Sequence, residues 1–108
     1  MAKYLFQASY TLDGTRGLIK EGGSSRRAAI EQMVKGLGGK LESIYYAFGI
    51  TDVFLVVELP DAASAAAISL TVGAAGGARV TTIPLMTPEE IDAAAKKSIR
   101  YRAPGAKK

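Results

Sequence analysis

The segment VFLVVEL, residues 53–59, is the feature that most constrains how this chain can fold. Six of its seven residues are apolar, so both faces of a strand built from it are apolar. A strand of this kind needs cover on both faces, which a sheet provides at a central position. We therefore expect residues 53–59 to lie inside a sheet rather than at its edge.

Alternating and helical patterns on either side of this segment predict a β-α-β-β-α-β order followed by a terminal helix. Strands are expected over residues 3–12, 40–48, 52–59 and 79–86. Helices are expected to begin at three N-caps: Ser24 or Ser25, Asp61, and Thr87, which forms a capping box with Glu90. The last helix is expected to reach about Ile99, and the stretch DGTRG is interpreted as a break before a short helical turn in LIKEGG.

This order is that of the ferredoxin-like α+β fold, a four-stranded antiparallel sheet whose first and third strands are central. Two helices cover only one face of such a sheet, so the second apolar face of residues 53–59 needs another partner. The simplest partner is a second copy stacked sheet on sheet, as in a dimeric α/β barrel. We therefore predict one domain over residues 1–99 that forms a homodimer or higher oligomer, with a basic, flexible tail over residues 100–108.

The net charge of +4 does not indicate a nucleic-acid partner, because the charge is unevenly placed. Six basic residues and no acid lie in the last thirteen positions, which leaves eight basic and ten acidic residues elsewhere, a net charge of −2. We interpret the tail as solvated, so nucleic acid is not expected as a partner. No stretch of ~20 apolar residues could span a bilayer and the N-terminus alternates, so a soluble cytoplasmic protein without a membrane partner is expected.

Cysteine and histidine are both absent, which restricts the chemistry available to the chain. Disulfides, thiolate zinc sites, imidazole metal ligands and Ser–His or Cys–His nucleophile pairs are excluded. A general base would have to be a carboxylate, a lysine or a tyrosine, and a metal ion would need oxygen ligands. The sequence predicts no metal site, and it indicates neither a particular cofactor nor a catalytic residue.

A three-residue loop between the second and third strands would fix the register of their hairpin so that Glu42 faces Glu58. Two facing carboxylates would share a proton or bind a metal ion. The alternative is that both carboxylates reach solvent or are neutralised by Lys3, Lys40 or an arginine of a partner chain. We favour neutralisation, because a shift of one residue in the register removes the pair altogether.

The same register pairs Tyr46 with Phe54 on the face of the two glutamates and places Phe48 opposite Asp52. The aromatic pair could line a ligand pocket or pack inside a dimer, and packing is the favoured interpretation. Asp52 is interpreted as a turn residue whose carboxylate binds backbone N–H groups. The candidate ligand-binding residues of this face are Glu42, Tyr46, Phe54 and Glu58.

A basic cluster precedes and begins the first long helix, in the segment GTRGLIKEGGSSRR. Arg16 and Arg26 are candidates for holding a phosphate or carboxylate there, because helix N-termini favour anions. The segment lacks the spacing of a phosphate-binding loop. Salt bridges to Glu21, to Glu31 or to another subunit are the favoured alternative.

The stretch GTRGLIKEGGSSRRAAIEQMVKGLGGKLESIYYAFGITDVFLVVELPD, followed by LMTPEE, resembles the GYD domain family of small bacterial proteins over about residues 3–95. Gly49 and Asp52 of the family's Gly-Tyr-Asp signature are kept at the hairpin, as is the pair Pro60–Asp61, whereas Thr51 stands where tyrosine is usual. The resemblance implies a ferredoxin-like, oligomeric protein. It carries no catalytic residue over to this chain, because the family has no established activity.

The sequence is therefore compatible with two functions from different classes. The first is a homo-oligomeric small-molecule-binding or accessory protein, which a compact fold without a catalytic constellation favours. The second is a cofactor-independent enzyme with a pocket on the sheet face opposite the helices, in which carboxylate and tyrosine groups act as acid and base. Only fold analogy supports the second function.

Overall fold

The computed structural model describes residues 1–105, in which four strands and four helices form an α+β domain. The elements follow the chain as β1 Ala2–Tyr10, α1 Leu12–Glu21, α2 Gly23–Gly36, β2 Lys40–Tyr46, β3 Val53–Leu59, α3 Ala62–Ala75, β4 Ala78–Leu85 and α4 Pro88–Ala95.

The four strands form one open sheet in the order β4-β1-β3-β2, and all three neighbouring pairs are antiparallel. β1 and β3 are therefore central, as the apolar segment in β3 predicted. Alternate side chains of β3 are buried on the side that carries the helices, namely Val53, Leu55, Val57 and Leu59. The intervening side chains are half-buried and point to the opposite side, here called the open face: Phe54, Val56 and Glu58.

The hydrophobic core lies between the sheet and two helices, α2 and α3. Ile30 and Val34 of α2 are buried, with Met33 and Leu37 packed beside them, so one apolar stripe of this helix faces the sheet. α3 contributes Ala65 and Ile68, which are both buried. The core cluster consists of Tyr4, Phe6, Ile30, Val34, Val53, Leu55, Val57, Leu59, Ala65 and Ile68.

The predicted register of the β2–β3 hairpin is wrong. Tyr46 pairs with Val53 rather than with Phe54, and the connection runs over residues 47–52. The physical reason is that the backbone of Asp52 is hydrogen-bonded to both neighbouring segments of the chain. Its C=O accepts from the N–H of Ala47 at 2.8 Å, and its N–H donates to the C=O of Ala8 in β1 at 2.9 Å.

The shift in register turns most of β2 over. Tyr45, rather than Tyr46, pairs with Phe54 on the open face, and Tyr46 lies on the helix side. An irregularity between Leu41 and Ser43 then changes the register once more, so that Lys40 pairs with Glu58. The predicted facing pair of Glu42 and Glu58 is therefore not formed.

α1 was not predicted at its full length, because DGTRG continues the helix instead of breaking it. Thr11 is the N-cap and accepts from the N–H of Gly14, and Asp13 in the first turn complements the helix dipole. The helix stops at Gly22, whose φ of 86° is favourable for glycine. No residue of α1 is buried, so this helix lies over the core rather than in it.

The other helix starts are mostly as predicted. Asp61 caps α3, and Thr87 and Glu90 form the capping box of α4. α2 begins at Gly23 with Gly22 as N-cap, so the predicted serine cap is wrong. No residue of α4 is buried, so no tertiary packing extends the helix, which ends at Ala95 rather than at Ile99.

Residues 96–105 are exposed and contain neither helix nor strand. Lys107 and Lys108 of the predicted tail lie outside the described residues. No helix within residues 1–105 is both long enough and apolar enough to cross a membrane.

Candidate functional site

The sheet divides the six predicted ligand-binding residues between two places. Glu42, Phe54 and Glu58 lie on the open face, whereas Tyr46 and Arg26 lie on the helix side. The remaining candidate, Arg16, is exposed on α1. The predicted set therefore does not form one site.

Lysines surround the two glutamates on the open face. Lys3 Nζ lies 2.8 Å from Glu42 Oε1, and both Lys3 and Lys40 face Glu58 across the sheet. The hydrogen bond to Glu42 raises the pKa of Lys3, the charges of Glu42 and Glu58 raise it further, and desolvation opposes them. Glu42 is therefore paired with Lys3, one of the cations that the favoured interpretation named, although it does not face Glu58.

The centre of the open face is an apolar row across three strands. Val56 of β3 pairs with Leu5 of β1, which in turn pairs with Ile83 of β4, and all three side chains are half-buried. The lysine–glutamate row lies on one side of it, and Tyr45 and Phe54 lie on the other. This face has the composition of a contact surface rather than of an acid–base site.

A cavity of about 220 Å³ lies on the helix side, between the sheet and helices α1, α2 and α3, and is partly open to solvent. One stripe of α1 covers it, formed by Gly14, Gly17, Leu18 and Glu21 at helical spacing. The walls are mostly apolar core side chains, among them Phe6, Ile30, Leu55, Ile68 and Val80. The cavity is thus a gap between the packed core and the helix that lies over it.

Three polar side chains line this cavity at its rim: Tyr10, Glu21 and Arg26. Arg26 Nη1 lies 3.8 Å from Glu21 Oε2. Burial raises the pKa of Tyr10, the charge and hydrogen bonding of Tyr46 raise it further, and Arg26 acts in the opposite direction. The rim therefore offers a phenol that stays protonated at neutral pH beside a guanidinium, which are two hydrogen-bond donors.

Backbone and side-chain hydrogen bonds fix the position of this rim. The carboxylate of Asp52 accepts from the N–H of Tyr10 at 2.8 Å. The next residue, Thr11, donates its N–H to the C=O of Gly77 and its hydroxyl to the C=O of Gly76. Asp52 binds a backbone N–H group, as predicted, although the group belongs to β1 rather than to the loop.

A second depression, between α2 and β2, is larger but less suited to a specific ligand. Its volume is about 370 Å³, and it is lined by exposed polar side chains that include Glu31, Gln32 and Lys35. Within the described part of the chain, no group of three acidic side chains is placed to hold a metal ion.

Sequence reasoning found Arg26 and named Glu21 as a salt-bridge partner of the basic cluster, but it missed the cavity and Tyr10. The alternation of β1 already placed Tyr10 on one face with Tyr4 and Phe6, which was a usable signal. The sequence did not indicate that α1 covers this end of the sheet, because its DGTRG segment was interpreted as a break in the chain.

Comparison with known proteins gives one match. The model of the GYD domain family matches residues 4–95, which is most of the chain. No curated protein and no solved structure matches the chain. The family match covers both central strands, the cavity and the capping box of α4, so this chain belongs to the GYD domain family.

Proposed function

We propose that this protein is a homo-oligomeric small-molecule-binding domain whose ligand occupies the cavity on the helix side. The observation that carries the proposal is the cavity itself, an apolar space of about 220 Å³ with polar groups only at its rim. The cavity is partly open to solvent, so its apolar walls are within reach of water. A ligand with an apolar body that enters it would remove this apolar surface from water and gain contacts with the walls.

The cavity resembles ligand sites in its construction. Such sites combine apolar walls with a few polar groups that orient the ligand. Here the apolar walls come from six elements, and Tyr10, Glu21 and Arg26 supply the polar groups. Tyr46 lies beside the rim. Its hydroxyl is hydrogen-bonded to that of Tyr10, and its ring packs against Gly23 at the start of α2.

Toluene tests whether the cavity accepts an apolar ligand. We expect it to shift the methyl resonances of the cavity-lining Ile30, Leu55 and Ile68 in NMR spectra of the full chain. Gly17→Leu should abolish these shifts, since Gly17 lines the cavity and a Cβ there meets no atom within 4 Å. Val72→Phe, another lining position, should do the same.

Gly73→Leu is the matched control for the occluding variants. Gly73 is also a helical glycine whose Cβ would meet no atom within 4 Å, but it does not line the cavity. Toluene should therefore bind this variant as it binds the wild type. Absence of binding to the wild type, or equal binding to all four proteins, would contradict the proposed site.

We further infer that the domain is ferredoxin-like and that two copies stack through their open faces. The apolar row of Val56, Leu5 and Ile83 supports this, because it remains half-exposed in a single chain. The adjoining row contains two lysines and two glutamates, namely Lys3, Lys40, Glu42 and Glu58. A two-fold arrangement can therefore pair opposite charges between the two copies. Phe48 and Ile50 at the end of the hairpin are almost fully exposed and extend the apolar surface.

Light scattering coupled to size-exclusion chromatography tests the stacking. The wild type should have the mass of a dimer, and Leu5→Lys should have the mass of a monomer, because two lysines would face each other near the two-fold axis. Thr71→Lys places the same charge on the exposed surface of α3 and should stay dimeric. A monomeric wild type would refute this part of the proposal.

The enzymatic alternative receives less support from the geometry. It requires carboxylates of the open face to act as acid and base, and both Glu42 and Glu58 face lysines instead. A role for Arg16 in ligand binding and a cytoplasmic location stay predictions of the sequence.

A further inference from the structure

We propose that the ligand of the helix-side cavity is a small monocarboxylate, with its apolar body among the core side chains and its carboxylate bound by Arg26 and Tyr10. The inference rests on the proposed function, because it names the chemical class of ligand for the same cavity. It does not depend on self-association through the open face.

The ion pair at the rim leaves Arg26 able to bind another carboxylate. Its Nη1 lies 3.8 Å from Glu21 Oε2, which is longer than a hydrogen bond. The two side chains are 36% and 46% exposed, so both can move. A guanidinium binds a carboxylate most strongly through two parallel N–H···O bonds. A ligand carboxylate in that geometry would replace a weak contact with a stronger one.

The start of α2 leaves Arg26 with a single acidic neighbour at the rim. The first turn of the helix contains no acidic residue. Glu21 of α1 is therefore the carboxylate that competes with a ligand for Arg26.

Tyr10 supplies the second hydrogen bond to the ligand, in place of the one that it shares with Tyr46. Burial and the neighbouring Tyr46 raise its pKa, so the phenol keeps its proton at neutral pH. A protonated phenol donates to a carboxylate, whereas it would offer a cationic ligand only a weak acceptor. The bond from its N–H to Asp52 holds this residue at the end of β1.

The size and lining of the cavity limit the rest of the ligand. A cavity of roughly 150 Å³ in another protein holds benzene, so about 220 Å³ suits one ring or a short branched chain with a single head group. Beyond the rim the walls are apolar, and a second charge placed there would lose its hydration without gaining a partner. The ligand is therefore monoanionic and apolar at its far end.

Three probes that share one phenyl ring and differ in the charge of the head group test this assignment: benzoate, benzamide and benzylamine. Each is titrated into the full chain at neutral pH and followed by the methyl signals used for toluene. Benzoate should bind more tightly than the other two by at least about tenfold, the effect expected of a charge-assisted hydrogen bond. The order of the three affinities reports the sign of the charge that the rim selects.

Arg26→Gln should reduce the affinity for benzoate by at least about tenfold and leave the affinity for toluene unchanged. Arg27→Gln is the matched control, because Arg27 is the adjacent residue, pairs with Glu31 and does not line the cavity. Glu21→Gln removes the competing carboxylate and should raise the affinity for benzoate. Melting temperatures of the three variants would verify that each one is folded.

Failure of this inference is distinguishable from failure of the proposed function. If toluene binds but benzamide or benzylamine matches or exceeds benzoate, the ligand class is wrong and the cavity remains a binding site. The class is likewise wrong if Arg26→Gln and Arg27→Gln bind benzoate equally. If neither toluene nor benzoate binds the wild type, the proposed function itself is wrong.

Discussion

Asp52 shows how a single side chain can serve the site without touching a ligand. Its carboxylate accepts from the N–H of Tyr10, and its backbone is bound by Ala8 and Ala47. The sequence predicted a turn residue that binds N–H groups of its own loop, whereas Asp52 lies directly before β3 and its carboxylate binds β1. Contacts between residues about forty positions apart depend on sheet order, and local patterns contain no information about their side-chain partners.

Asp52→Ala should lower the free energy of unfolding by about 1–3 kcal/mol, because the partly buried N–H of Tyr10 loses its acceptor. Asp52→Asn keeps an acceptor oxygen and should lower it by less. Urea unfolding followed by circular dichroism measures both. Equal losses in the two variants would mean that the charge of Asp52, rather than its oxygen atom, is what stabilises the strand.

Tyr10 should make the stability of the protein sensitive to alkaline pH. Its pKa is raised above the ordinary value of 10.0, so the folded state binds this proton more tightly than the unfolded state does. The resulting stabilisation is complete below the ordinary pKa and is lost as the pH rises through the pKa of the folded state. Tyr46 and Arg26 are the titratable or charged groups that act on it.

Urea unfolding from pH 8 to 11 should therefore show that the wild type loses stability more steeply than Tyr10→Phe does above about pH 10. The comparison between the two proteins removes the contributions of the other tyrosines and of the lysines. Parallel curves would show that Tyr10 is not perturbed in the folded state.

Elements with strong local signals were predictable, and elements defined by their neighbours were not. β3 and the capping box of α4 have signals within a few residues, and both are confirmed. α1 contains glycines at positions 14 and 17, which lower helix propensity, so its sequence favoured a break. The helix forms because Thr11 caps it and because Gly14 fits against Gly77.

Replacing glycine by alanine in two helices should test this account of α1. A Cβ at Gly14 would collide with the C=O of Gly77 and with the Tyr10 ring, whereas a Cβ at Gly73 in α3 would meet no atom within 4 Å. Both changes improve helix propensity. We therefore expect Gly73→Ala to raise the free energy of unfolding by about 0.5–1 kcal/mol and Gly14→Ala to lower it by about 1–3 kcal/mol.

Thermal and urea unfolding measure both changes, with Gly73→Ala as the internal control for propensity alone. Stabilisation of the two variants to the same extent would mean that α1 does not dock against Gly77, and the cover of the cavity would then have to be reconsidered.

At the scale of the whole molecule, the sheet separates two surfaces with different compositions. The open face combines an apolar row with paired charges, and the helix side contains the cavity with its phenol and guanidinium. The sequence predicted that β3 would be apolar on both faces, which is confirmed, but placed the ligand on the open face. A register difference of one residue at Tyr46 was enough to assign that residue to the wrong side.

Because the cavity lies on the helix side and Leu5 lies on the open face, ligand binding and self-association should be separable. A monomeric Leu5→Lys variant should bind toluene and benzoate with wild-type affinity, since Leu5 lies on the open face and is absent from the cavity wall. Conversely, Gly17→Leu should lose both ligands and keep the mass of a dimer. Titration and light scattering on the same samples measure the two properties. Loss of ligand binding in a folded monomer would show that the partner chain completes the site, and the cavity of a single chain would then be only part of it.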